Sequence, residues 1–167
     1  MKRMKLMLVV LMMLICSSNS AFARVIDSEY FHIEVPSNMI SVGELMGLTP
    51  DLGYMLSDQS GNLSLAVAYV PNKINASFEE MVQHFVEKQA NIFGELKKVD
   101  SQSDNETKCV LQSSDFYSLI PPMKTYIVVL MNKEKTHCAA IMLNFTAANV
   151  DDAEYIIRTY LEKANIK

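Results

Sequence analysis

Hydrophobic and polar residues alternate along Tyr30–Pro36, the first segment after the N-terminus that has a clear strand pattern. Three apolar residues beginning with Phe31 fall on one face, and His32 and Glu34 fall on the other, as is typical of a half-buried strand. Residues 37–52 are rich in Ser, Asn, Gly and Pro. They therefore predict a loop with at most one short helical turn.

Six further strands are predicted, and the longest of them are apolar on both faces. Strands of that kind lie in the middle of a sheet, because both of their faces are covered. The segments 54–70 and 123–145 each place turn-forming or polar residues between two strands and therefore predict hairpins. The predicted strands are, in chain order, Tyr54–Ser57, Leu63–Val70, 95–102, 106–113, Met123–Met131 and Thr136–Phe145.

Two segments carry apolar residues at helical spacing. The first begins with a capping box, in which Ser77 is the N-cap and Glu80 reaches back to it. Gly94 stands where a left-handed cap would end this helix. Asn149 predicts the start of a second helix, which continues to about Ala164.

The order of these elements predicts a single α+β domain over residues 24–167. Long apolar strands joined in hairpins imply an antiparallel β-sheet, and the two amphipathic α-helices are expected to pack against it. The length suits one domain rather than two.

Residues 1–23 have the three-part pattern of a cleaved secretory signal peptide. A cationic start is followed by an apolar stretch from Leu6 to Ile15 and by small residues that end at Ala23. This stretch of ~10 residues is shorter than the ~20 that a membrane-spanning helix requires. We expect cleavage near Ala23 and a periplasmic or secreted product with no integral membrane span. A lipoprotein acylated at Cys16 is the alternative, although the bulky residues before this cysteine do not suit lipoprotein processing.

The charge of the chain argues against nucleic acid as a partner. Its 167 residues include 15 Lys and Arg against 19 Asp and Glu. Loss of Lys2, Arg3 and Lys5 with the signal leaves 12 cationic side chains and a net charge of −7. A domain this acidic is not attracted electrostatically to phosphate backbones or to anionic lipid.

Five segments together resemble the DcrB type of exported protein, which is related to the wider Mog1/PsbP-like fold. The resemblance extends over residues 30–165 and rests on element order and hydrophobic spacing. It implies an antiparallel sheet packed between helices, no cofactor, no catalytic residues, and a role in holding other proteins or supporting envelope processes. The segments are YFHIEVP, LSLAVAYVP, SFEEMVQHFVEKQ, the hairpin around NKEK, and DDAEYIIRTYLEKANI.

Two cysteines follow the signal, Cys109 and Cys138, and two arrangements of them stay open. An even number of cysteines in an oxidising compartment favours a disulfide, which would stabilise the fold by about 4 kcal/mol. If the last strands form a simple meander, however, the two residues lie two strands, or about 9.6 Å, apart, and bridged Cα atoms lie within about 7 Å. The alternative is a pair of buried free thiols.

No catalytic, cofactor-binding or metal-binding residue is predicted. The sequence lacks a nucleophile elbow, a zinc-protease helix motif, a phosphate-binding loop and a Cys-x-x-Cys pair. The acidic pairs that begin at Glu79 and Asp151 stand in the first turns of the predicted helices, where they complement the helix dipole. His32, Glu34 and His137 are ligand types for zinc or iron. Nothing in the sequence brings their strands together, and we expect them on a solvated sheet face.

The segment 39–55 places many apolar side chains in a predicted loop. Flexible methionines are common at adaptable binding surfaces. Two interpretations stay open: these side chains fold onto the sheet as a cover for the core, or they form a patch that binds a partner or a lipid. The residues of the candidate patch are Met39, Met46, Leu48, Tyr54 and Met55.

The missing catalytic motifs and the resemblance predict a non-catalytic exported protein that binds another protein. Its role would lie in an envelope process or in neutralising a toxin delivered to the periplasm, as an immunity protein does. A carrier of a small apolar ligand or lipid, held between the sheet and a helix, is the alternative. An envelope hydrolase is the third candidate.

Overall fold

The computed structural model describes residues 23–43, 53–104, 106–117 and 121–167. The predicted signal lies outside these residues, except for Ala23 at its end. The strands and α-helices are, in chain order, β1 (Ala23–Asp27), β2 (Phe31–Pro36), β3 (Ile40–Gly43), β4 (Gly53–Ser57), β5 (Leu63–Pro71), α1 (Phe78–Phe93), β6 (Leu96–Lys98), β7 (Lys108–Ser113), β8 (Met123–Met131), β9 (His137–Thr146), α2 (Val150–Thr159) and β10 (Asn165–Ile166).

Seven strands form a large antiparallel sheet in the order β3-β4-β5-β9-β8-β7-β6. The strands β5, β9 and β8 occupy its centre, which confirms the prediction from their apolar character on both faces. Leu65 and Ile127 in these strands are completely buried. Asn132 holds the β8–β9 turn, because its Oδ1 accepts the backbone N–H groups of Thr136 and His137.

A second, three-stranded sheet has the order β1-β2-β10 and shares a core with one face of the large sheet. The prediction for Tyr30–Pro36 is confirmed by β2, in which Phe31, Ile33 and Val35 are completely buried. The sequence did not predict β1 or β10. In β1 only Ile26 is buried, and β10 has two residues. Neither strand therefore shows the alternation of apolar and polar residues from which a strand is predicted.

The helix α1 begins with the predicted capping box. Ser77 Oγ accepts the Glu80 N–H at 3.2 Å, and Glu80 Oε2 accepts the Ser77 N–H at 2.7 Å. Gly94 ends the helix with φ of 70°, a conformation that glycine adopts without a steric penalty. Phe78 and Met81 of α1 pack against the face of the large sheet that lies opposite the small sheet.

The helix α2 ends earlier than predicted, at Thr159, and a 3-10 turn over Leu161–Lys163 replaces its expected last turn. Asn149 precedes α2 but does not cap it. Its Oδ1 instead accepts the hydroxyl of Thr146 at 3.0 Å. The predicted apolar stripe nevertheless packs into the core shared with the small sheet; its members are Ala153, Ile156, Ile157, Tyr160 and Leu161.

Two predicted segments differ from the structure. The loop predicted over 37–52 contains the strand β3, and residues 44–52 lie outside the described residues. The strand predicted over 95–102 is limited to β6 and continues into a 3-10 turn at Asp100–Gln102. Ser103 fixes this turn to β7, because its hydroxyl donates to Val99 O and accepts the Val110 N–H, both at 2.9 Å.

Over the described residues the architecture is α+β, with antiparallel sheets and two α-helices in one domain, as predicted. On one face of the large sheet lies α1, and on the other lie α2 and the small sheet. In the part of the chain that the structure describes, neither α-helix has the length and apolar character of a membrane span.

Candidate functional site

The structure separates the residues of the predicted patch. Met39 has only 1% of its surface exposed and belongs to the core shared with the small sheet, so its assignment to a surface is wrong. Tyr54 and Met55 are successive residues of β4 and therefore point to opposite faces. Tyr54 packs against the same core as Met39, whereas Met55 is 37% exposed. Met46 and Leu48 lie outside the described residues.

Met55 is joined at the surface by two residues of β3 that the sequence did not single out. Ile40 and Val42 expose 48% and 50% of their surface. Ile40 lies opposite Ser57 in the ladder, on the face of Met55. The register shifts between Ser41 and Gly43, so Val42 is the extra residue next to Gly43, which pairs with Met55. We call Ile40, Val42 and Met55 the β3–β4 apolar surface.

The apolar character continues from Met55 across the neighbouring strands. Met55 pairs with Ala66 of β5, which pairs with Met142 of β9. Met142 is half-buried and packs against the core beneath α1. The β3–β4 apolar surface is therefore the exposed end of a row that is covered further along by α1.

A second row of side chains on this face is polar, and each of them has a hydrogen-bond partner in the main chain or in another side chain. The Ser57 hydroxyl is 3.0 Å from Asp58 O. Asn144 Nδ2 donates to Ser64 Oγ at 3.4 Å, and Tyr117 OH donates to Asn144 Oδ1 at 3.2 Å. Burial raises the pKa of Tyr117 to about 12, so its hydroxyl keeps its proton at neutral pH. These groups hold the strands together and form no acid–base pair.

The two strand histidines have separate partners, so the combination of His32, Glu34 and His137 forms no metal site. His32 Nδ1 lies 3.3 Å from Asp27 Oδ1, and His137 Nε2 lies 2.6 Å from the main-chain oxygen of Lys167. Among the described residues no group of three or more His, Cys, Asp and Glu side chains is arranged to hold a metal ion.

Cys109 and Cys138 are free thiols in the structure, and both are buried. Cys109 pairs with Val129, and Cys138 pairs with Met131, so the strand β8 lies between the two cysteines. Two strand spacings are about 9.6 Å, which exceeds the limit of about 7 Å between bridged Cα atoms. The bridge is therefore not formed, and the alternative of two buried thiols is the arrangement observed. Burial raises the pKa of Cys138 to about 11.

The layer in which an apolar ligand was expected is filled by side chains. This layer contains Phe31 of the small sheet, Phe145 of the large sheet and Ile157 of α2. Each of them exposes at most 1% of its surface. A groove of about 560 Å³ does occur at the surface, between α1 and the β5–α1 connection. Its walls mix apolar Ile74 and Met81 with the charged residues Lys73 and Glu80. The carrier function stays a prediction.

No protein-family model and no curated protein matches the chain. Solved structures do match. The crystal structure of the Ran-binding protein Mog1p of Saccharomyces cerevisiae aligns with a TM-score of 0.53 at 12% identity, over 84% of this chain and 95% of Mog1p. The solution structure of the cyanobacterial PsbP (CyanoP) of Synechocystis sp. PCC 6803 aligns with a TM-score of 0.57 at 10% identity, over 88% of this chain and 94% of CyanoP.

These similarities confirm the Mog1/PsbP-like part of the expected resemblance. At such low identity they show the fold alone, because unrelated functions share folds. The narrower likeness to the DcrB type is matched by no family and stays a prediction.

Proposed function

We propose that this chain is an exported, non-catalytic protein that binds another protein through the β3–β4 apolar surface. The observation that carries the proposal is the clustering of three exposed apolar side chains, Ile40, Val42 and Met55, at one end of the large sheet. Single exposed apolar residues are common on soluble proteins, whereas contiguous ones mark interaction sites.

The fold is compatible with this function. Mog1p, with which the chain shares its fold, is described as a Ran-binding protein. The comparison supports protein binding as a class of function. It says nothing about the partner, because a fold does not determine a function. Support for export comes from the signal pattern of residues 1–23.

Among the described residues four carboxylates have lowered pKa values, and they support a non-catalytic role. Hydrogen bonds from Lys167 and His32 lower the pKa of Asp27, and the other three shifts arise within single turns or caps. A hydrogen bond from the Ser77 N–H lowers the pKa of Glu80. Burial would raise the pKa of Asp58 and of Asp104, but hydrogen bonds outweigh burial and lower both, to about 2 for Asp104. Each of these last three side chains bonds within its own turn or helix cap. Local structure therefore accounts for the shifts without a reaction site.

The binding test compares two exposed apolar positions. The full chain, expressed in a bacterial host, is used to recover partners from native envelope extract, and the binding constant of the recovered partner is then measured. We expect Met55→Asp to weaken binding at least about tenfold, because it places a charge in an apolar interface. The control is Ile92→Asp on α1, where Ile92 is 57% exposed. Equal affinity of the two variants would contradict the assignment of the surface.

Export is tested separately on the unmodified chain. After expression and cell fractionation we expect the protein outside the cytoplasm, with an N-terminus at Arg24 by sequencing. A cytoplasmic product that retains Met1 would contradict export and leave the binding surface unaffected.

A further inference from the structure

In the part of the chain that the structure describes, β3 is an outermost strand of the large sheet and pairs with β4. The outer side of such a strand presents N–H and C=O groups that no neighbour in the sheet uses. Proteins commonly protect edge strands with charged residues, proline, bulges or short length, and Ile40–Gly43 has no charged residue and no proline but is short and bulged. The edge is therefore chemically suited to accept another strand, but only over a few residues.

The charge pattern of this edge selects the chemistry of what binds there. Residues 39–43 and 53–57 include no Asp, Glu, Lys, Arg or His. A charged side chain brought onto them would lose its hydration and gain no opposite charge. The complementary segment is therefore uncharged where it meets the surface, with apolar side chains at alternate positions.

The size of the edge argues against a second copy of the chain as the occupant. The strand has four residues, and the bulge between Ser41 and Gly43 interrupts its ladder. Two such strands paired with each other would bury far less than the ~1,200 Å² of a stable interface. A different protein has no such limit, because it contributes further contacts outside the added strand.

We propose that β3 binds an extended, uncharged segment of the partner protein by adding it to the large sheet as a further strand. Main-chain hydrogen bonds hold the segment, and its alternate side chains pack on Ile40, Val42 and Met55. The proposal rests on the protein-binding function proposed above and adds the form in which the partner binds. Because β3 is short and bulged, the added strand is short.

Two peptides test the backbone contribution directly. One is a fluorescent octapeptide of alternating threonine and valine with blocked ends; the other has the same sequence with every second residue N-methylated. We expect the full chain to bind the first with Kd below about 1 mM, and the second at least about tenfold more weakly. Equal affinities, or no binding of the first peptide, would overturn the proposal.

Hydrogen exchange locates the pairing without changing the chain. With the first peptide at saturation, we expect the amides of β3 to exchange more slowly and the amides of β6 at the opposite edge to be unaffected. Protection at β6 alone, or at neither edge, would contradict strand addition.

Paired proline variants, Ile40→Pro and Ser41→Pro, give a second measurement. Successive strand amides point to opposite sides, so one variant removes an outward donor and the other a donor to β4. Provided that circular dichroism shows both to be folded, we expect the outward variant to weaken binding of the first peptide at least about tenfold.

The outcomes separate this inference from the proposed function. If Met55→Asp abolishes partner binding while β3 gains no protection when the partner is added, the protein-binding function stands and strand addition is wrong. If Met55→Asp leaves partner binding unchanged, the proposed surface itself is wrong, and strand addition at that surface is rejected with it.

Discussion

The strands β3 and β6, which are the outermost strands of the large sheet in the described part of the chain, differ in the residues that they place at their exposed edges. In β6, Lys97 Nζ lies 3.5 Å from Glu95 Oε2, and Lys98 Nζ lies 3.7 Å from Asp100 Oδ1. The apolar residue of β6, Leu96, is half-buried and packs against the core beneath α1. Edge lysines oppose pairing with another strand, because burying their charge is costly. The β6 edge is thus closed to association.

The β3 edge has the opposite construction. Its apolar residues Ile40 and Val42 face solvent, and it has no charged residue. The two edges belong to the same sheet and share its central strands, yet β6 carries two lysines and β3 carries no charged residue. The comparison shows that the fold tolerates a charged edge, and the uncharged β3 edge is the one through which we propose that a partner binds.

Removing the charges of β6 should make the two edges alike, and the resulting change in oligomeric state is the largest effect that we expect. We expect the double variant Lys97→Val/Lys98→Val to form dimers or larger assemblies in concentrated solution, because its edge strand becomes apolar and uncharged. Size-exclusion chromatography with light scattering measures this. The control replaces two exposed lysines outside strands, Lys88→Val/Lys163→Val. If both double variants had the same mass distribution as the unmodified chain, lysine would not be what protects this edge.

Truncating one apolar side chain at each edge sharpens the comparison through stability. We expect Leu96→Ala to lower the free energy of unfolding by about 1.5 kcal/mol, because Leu96 packs against a core. Ile40 is 48% exposed, so Ile40→Ala should lower it by only about 0.5 kcal/mol. Urea unfolding of both variants measures the difference. A larger loss for Ile40→Ala would mean that Ile40 serves the core rather than an interface.

The turns next to the two edges each depend on one aspartate. The stability that each aspartate contributes should differ slightly in its dependence on pH. Hydrogen bonds from Thr107, Lys108 and Glu106 hold the pKa of Asp104 at about 2, despite the opposing effect of burial. Its ionised form therefore stabilises the fold above about pH 4, and this contribution is lost as the pH falls towards 2. We expect Asp104→Asn to lower stability at neutral pH by about 1 kcal/mol, a value reduced for solvent screening, and to remove most of that difference near pH 2.

The matched variant for the other edge is Asp58→Asn, in the β4–β5 turn. The pKa of Asp58 is also lowered, but its Oδ1 accepts the Leu63 N–H at 3.1 Å, whereas the three backbone N–H groups that donate to Asp104 lie at 2.7, 2.8 and 2.9 Å. Its acid dependence, measured by urea unfolding across the same pH range, should therefore be weaker. An equal or stronger dependence for Asp58→Asn would show that the closeness of the backbone donors does not set the size of the pKa shift.

The sequence predicts those elements that have a clear hydrophobic pattern within their own residues. The central strands are long and apolar, and α1 has apolar residues at helical spacing and a complete capping box. The structure confirms both predictions. Asn149 did not cap α2, because Thr146 lies within reach of the same oxygen, a competition that spacing does not reveal. The strands β1 and β10 depend on pairing with β2, so their own residues carried little signal.

The candidate site was predicted only in part, for a related reason. Met55 was selected from its apolar character, and its exposure agrees with that choice. Met39 was selected on the same basis, but in a strand-like segment neighbouring residues point to opposite sides, and Met39 is the one that faces the core. The turn-forming residues of 37–52 predict a loop, so the sequence does not identify Ile40 and Val42 as surface residues of a strand. The alternation of apolar and polar residues in Ile40–Gly43 is the signal that would place Ile40 and Val42 on one face of a strand.

The position of the two cysteines has a consequence for how the chain reaches its native state. In an oxidising compartment the unfolded chain exposes both thiols until β7, β8 and β9 have paired. A disulfide formed in that interval would join Cys109 to Cys138 within about 7 Å, which the native register with β8 between them does not allow. Such a chain would be trapped before the sheet closes. In such a compartment the yield of folded protein would therefore depend on whether the strands assemble before the thiols oxidise.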